Sequence, residues 1–236
     1  MYANGRLVNK AAFRKESAYV MQSDALFPLL TVRETMRYAA MLRIHNKTKE
    51  EKFAAAENLI SLLKLDKCAD TIIGDADNRG LSGGEIRRVS IGVDIISLAA
   101  VIFLDEPTSG LDSSTAMTVV ESLRAIAQQQ NCTIVMTIHQ PSARIFSCID
   151  QVLFLSEGRV TYMGRADALA GHVHQVYQQH NLGMPLQGNP PELFLDLCDL
   201  LISQKQTNLL TDTHNESTKG AVAVADAAAT TAATAN

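Results

Sequence analysis

The 236-residue sequence predicts an α/β fold organised on a parallel sheet. Val101-Ile102-Phe103-Leu104 is an unbroken apolar run, as expected of a strand covered on both faces of such a sheet. Asp105 and Glu106 follow at its carboxyl end, where open α/β sheets bind ligands, and Pro107 then ends the strand. Residues 17–21 and 133–137 read as two more short buried strands, set apart from the first by helix-patterned sequence.

Taken in order, residues 1–15 are polar and read as the end of a strand-and-loop region. Gln22 closes the strand at 17–21, and a loop opens at Ser23-Asp24. Residues 31–43 set Val32, Met36, Ala39 and Ala40 at helical spacing among Arg33, Glu34 and Arg37. Residues 49–64 give a second helix, with Phe53, Ala56, Leu59, Ile60 and Leu63 on one side. Ser82 and Glu85 have capping-box spacing, so Ser82 opens a third. Gly83 and Gly84 put no side chain between a phosphate and the N–H groups of that helix start. A mostly helical insert, about residues 30–98, therefore precedes the strand at 101–104.

Residues 113–129 repeat apolar positions at Met117, Val120, Leu123 and Ile126, and Asp112 sits where it can cap that helix. His139 follows the strand at 133–137. Residues 151–155 and 159–162 read as a hairpin around Glu157-Gly158, and helices are expected over 166–180 and 190–203. Residues 1–204 read as one partial domain. Residues 205–236, rich in Thr, Ala, Asn and Asp without large apolar residues, read as a disordered low-complexity linker or tail.

A hydrophobic content of 47% against 19% charged residues fits a globular chain, and a net charge of −4 argues against nucleic-acid binding. Cys68, Cys132, Cys148 and Cys198 form no C-x-x-C pair, which suits reduced thiols in the cytosol. The amino terminus has no apolar signal region, and the longest apolar run, residues 98–104, is too short to cross a bilayer. His172 and His174, with His180 beyond, lack a cysteine or carboxylate at ligand spacing and read as an exposed helical face.

An acid pair at a strand end can hold Mg²⁺ with one member and orient a water with the other. Asp105 suits the first task and Glu106 the second. Leu81-Ser82-Gly83-Gly84-Glu85, Phe103-Leu104-Asp105-Glu106-Pro107 and Ser109-Gly110-Leu111-Asp112 together resemble the signature motif, Walker B and D-loop of ABC-type ATPases. Tyr19-Val20-Met21-Gln22 resembles their Q-loop, and Thr137-Ile138-His139-Gln140-Pro141 their H-loop. The stretches Leu26-Phe27-Pro28-Leu29-Leu30-Thr31-Val32 and Asn189-Pro190-Pro191-Glu192-Leu193-Phe194 are similar to the white-type G subfamily of ABC transporters. The resemblance covers about residues 2–204.

It implies a P-loop NTPase-type core with a helical signature subdomain, using ATP and Mg²⁺. It implies Glu106, His139 and Gln22 as catalytic residues, and Asp105 with Gln22 at the metal. Ser82, Gly83, Gly84, Glu85, Asp105, Asp112 and His139 are the implied nucleotide-binding set. The implied partners are a second nucleotide-binding domain and a downstream transmembrane domain, at the cytosolic face of a membrane. The implied work is ATP-driven export of a lipid, sterol or other hydrophobic compound. The alternative is an inactive subunit that donates its signature motif to a partner.

Ile86 and Leu98-Ala99-Ala100 depart from the usual pattern without touching these roles. The larger departure is that none of the 13 glycines is followed by lysine, so no G-x-x-x-x-G-K-[ST] cradle is present. The resemblance implies a chain truncated at its amino end, lacking the P-loop and the first strands, and ending in the linker before a membrane helix. Such a chain is expected to be inactive alone.

Overall fold

The computed structural model describes residues 2–3, 6–7, 9–22, 25–75, 78–97, 99–180, 182–183 and 188–203. The loop opening at Ser23-Asp24, the residue Leu98 and the tail at 205–236 lie outside them. The chain falls into two compact units, Val8–His139 and a second formed from Gln140 onward together with Met1–Leu7.

In the amino-terminal stretch, β1 (Tyr2–Ala3) pairs antiparallel with β2 (Arg6–Leu7). A helix, α1 (Lys10–Glu16), follows where loop was expected. The Asn9 side chain accepts the Ala11 N–H, and the residues behind it are good helix formers, so polarity alone was a poor guide.

The Val8–His139 unit is built on β3 (Ser17–Val20), β4 (Val101–Leu104) and β5 (Thr133–Met136). The three are parallel, in the order β3-β4-β5, with Val20, Leu104 and Met136 level at one end. Ala18, Val20, Ile102, Leu104, Ile134 and Met136 line the face that enters the main core. The other face is only partly covered. There Phe13 of α1 meets Phe103 edge-on at 6.4 Å, while Tyr19 and Val135 are 59% and 48% exposed. Burial in β4 thus alternates along the strand, and β5 is half exposed. The expectation of strands buried on both faces holds for one face, because the apolar runs say nothing about which neighbours cover them.

The helical insert packs on the covered face of the sheet. It consists of α2 (Val32–Arg43), α3 (Lys49–Leu62), a 3₁₀ turn (Asp66–Cys68) and α4 (Gly83–Ile95). All three α-helices begin with a full capping box: Thr31 with Glu34, Thr48 with Glu51, and Ser82 with Glu85. Each box satisfies two N–H groups that the helix geometry leaves without partners. Helix α5 (Ser113–Gln130) ends at Asn131, whose left-handed backbone (φ 49°) and N–H bond to Ala127 turn the chain into β5.

The second unit contains a short α6 (Ala143–Phe146), the hairpin of β6 (Gln151–Ser156) and β7 (Arg159–Arg165), α7 (Leu169–Gln179) and α8 (Pro190–Ser203). The hairpin turns on Glu157 (φ 47°) and Gly158 (φ 74°), two left-handed residues that match the twist of the strands. Its inner face joins α7 and α8 around Phe154, Tyr162 and Phe194, with ring centroids 4.9–6.4 Å apart. His172 is part of that core. It is 7% exposed and lies 5.0 Å from the Tyr162 ring, so only His174 faces outward as expected. All four cysteines are free.

Gly92 sets how closely the insert packs. A Cβ there meets Leu63 Cδ1 at 2.7 Å and Met36 Cε at 2.9 Å. Gly92→Val is therefore expected to lower stability by about 1–3 kcal/mol. Gly171 of α7 faces open space, so Gly171→Ala is expected to raise stability by up to about 1 kcal/mol. Urea unfolding of the two variants beside the parent protein measures both.

Candidate functional site

The level ends of the three strands bring their next residues together. Asp105 N–H donates to Val20 O (3.0 Å), and Thr137 N–H donates to Leu104 O (3.1 Å), so pairing runs one step past the strands. The Thr137 hydroxyl then donates to Asp105 Oδ1 (2.9 Å) and accepts the Glu106 N–H (2.9 Å). Glu106 itself has a left-handed backbone (φ 43°), uncommon for a residue with a side chain, and its carbonyl accepts the Ser109 N–H (3.1 Å). This turn aims the Glu106 carboxylate at the Gln22 side chain. Gln22 Nε2 donates to Glu106 Oε2 (3.3 Å) and to Ser109 Oγ (3.4 Å). The Tyr19 hydroxyl reaches Asp105 Oδ2 (3.4 Å). Tyr19, Met21, Gln22 and Asp105 line a shallow open depression at this edge.

The structure thus joins Gln22, Asp105 and Glu106 in one hydrogen-bonded cluster. His139 lies two residues beyond Thr137, exposed, and its side chain makes no hydrogen bond among the described residues.

Ser82, Gly83, Gly84 and Glu85 form a second group at the start of α4. The Ser82 hydroxyl donates to Glu85 Oε2 (2.7 Å), and Glu85 Oε2 also accepts the Ser82 N–H (2.9 Å). The hydroxyl and then this N–H hold the Glu85 carboxyl below its ordinary range. A Cβ at Gly83 meets nothing within 4 Å, so the backbone is open on that side. Gly84 differs: a Cβ there falls 2.0 Å from Thr115 Cγ2, and the missing side chain lets α4 pack closely on α5.

Asp112 caps α5 in the same region. Its Oδ1 accepts from Ser114 N–H (3.0 Å), Thr115 N–H (3.1 Å) and the Ser114 hydroxyl (2.7 Å). Hydrogen bonds from the Thr115 and Ser114 side chains, with these N–H groups, hold its carboxyl far below the usual carboxylate range.

Sequence reasoning missed three contributors. The sequence reads Thr137 as part of a strand, yet its hydroxyl bridges the acid pair. Tyr19, in a strand the sequence reads as buried, is exposed and reaches Asp105. Arg87, in the second turn of α4, has no role in the sequence reading. It is 4% exposed and donates to Met21 O (2.9 Å), Gln22 O (3.1 Å), Asp105 O (3.3 Å) and Pro107 O (3.4 Å). Its position, three residues after the close-packed Gly84 and four before the buried Ile91, is the helical spacing that could have revealed it.

The donors at the cluster are hard oxygens, which suit Mg²⁺. Among the described residues no group of three or more His, Cys, Asp or Glu could hold a metal alone.

Comparison with known proteins follows the same lines. The ABC transporter family model matches residues 2–109. The chain is 43% identical over 215 residues to ABC transporter G family member 20 of Arabidopsis thaliana, covering 90% of this chain and 28% of that protein. It is 47% identical over 196 residues to ABC transporter G family member 5 of Oryza sativa subsp. japonica, covering 82% and 24%. It is 42% identical over 194 residues to ABC transporter G family member STR2 of Medicago truncatula, covering 82% and 26%. The chain therefore spans 24–28% of the length of these curated relatives.

A carboxylate whose folded pKa is depressed stabilises the fold above its unfolded pKa of about 4, and that contribution is lost as pH falls toward the folded value. Acid below about pH 4 should therefore weaken the α5 cap. Asp112→Asn retains a good cap and removes this titration. Urea midpoints of parent and variant are expected to agree near pH 7, and the variant to lose less than the parent between pH 5 and pH 3.

Proposed function

The chain belongs to the nucleotide-binding domains of the ABC transporter G family, and on that premise we propose that it works as part of an ATPase module driving export across a membrane. The observation that carries this reading is the meeting of Gln22, Asp105 and Glu106 at one sheet edge, with Ser82 and Gly83 opening a helix in the same unit.

In this reading Glu106 is the base that polarises the attacking water, and Gln22 holds its carboxylate in position. Asp105 and the Gln22 amide oxygen would hold a Mg²⁺ ion, which would supply charge neutralisation at the phosphates. Ser82 and the N–H groups at Gly83 and Gly84 present a helix N-terminus to a γ-phosphate, with Glu85 fixing the Ser82 rotamer. Asp112 borders that site, and His139 hydrogen-bonds the γ-phosphate from beyond β5. Most of the catalytic effect comes from positioning and charge stabilisation.

The partners are a second nucleotide-binding domain, which shares each ATP across an interface, and a transmembrane domain. No described helix is long and apolar enough to cross a membrane. The module acts at the cytosolic face, and the cargo is a lipid, sterol or other hydrophobic compound. This chain holds no P-loop cradle, so it binds ATP weakly by itself.

The test supplies a P-loop segment to the chain and compares Glu106→Gln with the parent. The variant is expected to keep nucleotide affinity within about threefold, read by a fluorescent ATP analogue with Mg²⁺. Its turnover is expected to fall by 10²-fold or more, the lower range for loss of a general base. Near-parental turnover removes Glu106 from the base role.

A further inference from the structure

Arg87 is a buried cation whose four described acceptors are all backbone carbonyls. Two of them, Met21 O and Gln22 O, belong to the loop leaving β3. The other two, Asp105 O and Pro107 O, belong to the loop leaving β4. Carbonyls past the ends of strands have no ladder partner, and a buried carbonyl without a donor is costly. The planar guanidinium, with its fork of donors, spans both loops at once. The two loops it joins carry Gln22 and Glu106, whose side chains meet at 3.3 Å. Arg87 also stands five residues after Ser82 on the same rigid helix, roughly 7.5 Å along its axis.

We propose that Arg87 is a positioning residue that sets the gap between Gln22 and Glu106 and ties it to the phosphate-facing start of α4. The proposal rests on the ATPase reading above for its catalytic consequence. A shift of α4 when Ser82 and Gly83 engage a phosphate moves the guanidinium, and with it both loop backbones. The water-orienting pair closes to its working distance only when the helix is seated. A side chain that merely filled space would leave the two loops free of the helix.

The test uses the P-loop-supplied protein and four forms: parent, Arg87→Met, Gln22→Ala and the double variant. Arg87→Met is expected to leave affinity for the ATP analogue and KM within threefold while kcat falls at least tenfold. Because both substitutions act through one gap, kcat of the double variant is expected to lie within twofold of the slower single variant. Losses that multiply, as for independent sites, overturn the proposal, and so does an unchanged kcat in Arg87→Met.

A second readout does not depend on turnover. Amide hydrogen exchange at Asp105, Glu106 and Ser109 is expected to quicken at least tenfold in Arg87→Met, with β6 and β7 unchanged. Equal protection in parent and variant overturns the proposal. If the parent itself shows no ATP turnover, the ATPase reading fails and exchange alone decides the role of Arg87. Should Arg87→Met not fold, Arg87→Lys takes its place in both measurements. It keeps the charge, and its single ammonium cannot reach all four carbonyls.

Discussion

The register of three parallel strands is the constraint on which the site depends. Val20, Leu104 and Met136 stand level, and the next residues therefore emerge side by side. Three loops that are distant in sequence become one polar edge: Gln22 from the first, Asp105 and Glu106 from the second, Thr137 from the third. A one-residue slip of β4 would exchange its buried and half-exposed faces, sending Ile102 and Leu104 out of the core. The apolar face thus enforces the register, and the register places the acid pair. The hydroxyl of Thr137 completes the arrangement by bonding both members at once, the side chain of one and the backbone of the other.

Glycines and caps then set where the helices stand relative to that edge. Gly84 lets α4 approach Thr115 of α5, and Gly92 lets it approach Met36 and Leu63. These two contacts set how closely α4 lies on its helical neighbours. The same packing buries Arg87, where a guanidinium persists only if its donors find acceptors. Those acceptors are the loop carbonyls that the strand ends leave without partners. Two costs of folding, an orphaned carbonyl set and a buried charge, offset each other at the site.

Local rules were the legible part of the sequence. Ser82 with Glu85 announced a helix start at a spacing of three, and the structure has the full capping box. The apolar runs located all three parallel strands, and Glu157-Gly158 located the hairpin. Features that depend on tertiary neighbours were harder to read. His172 is three residues after Leu169 and four before Val176, both buried, so its helical phase placed it inside; its polarity argued otherwise. Residues 10–16 looked like loop because they are polar, although Asn9 and the alanines favour a helix. Exposure of Val135 and Tyr19 depends on what lies against one face of the sheet, which no periodicity encodes.

The backbone at Glu106 shows how such a site is held against its own preferences. A left-handed conformation costs a residue with a side chain of order 1 kcal/mol, so something must over-determine it. Here the Glu106 N–H is fixed by the Thr137 hydroxyl, its carbonyl by the Ser109 N–H, and its neighbour Pro107 by a set φ and by Arg87. Glycine at position 106 would relieve the strain and remove the carboxylate. Retaining glutamate there exchanges a little stability for one aimed side chain, and the surrounding bonds come from three separate elements. The strain marks the place where the fold gives up local preference to hold a carboxylate opposite Gln22.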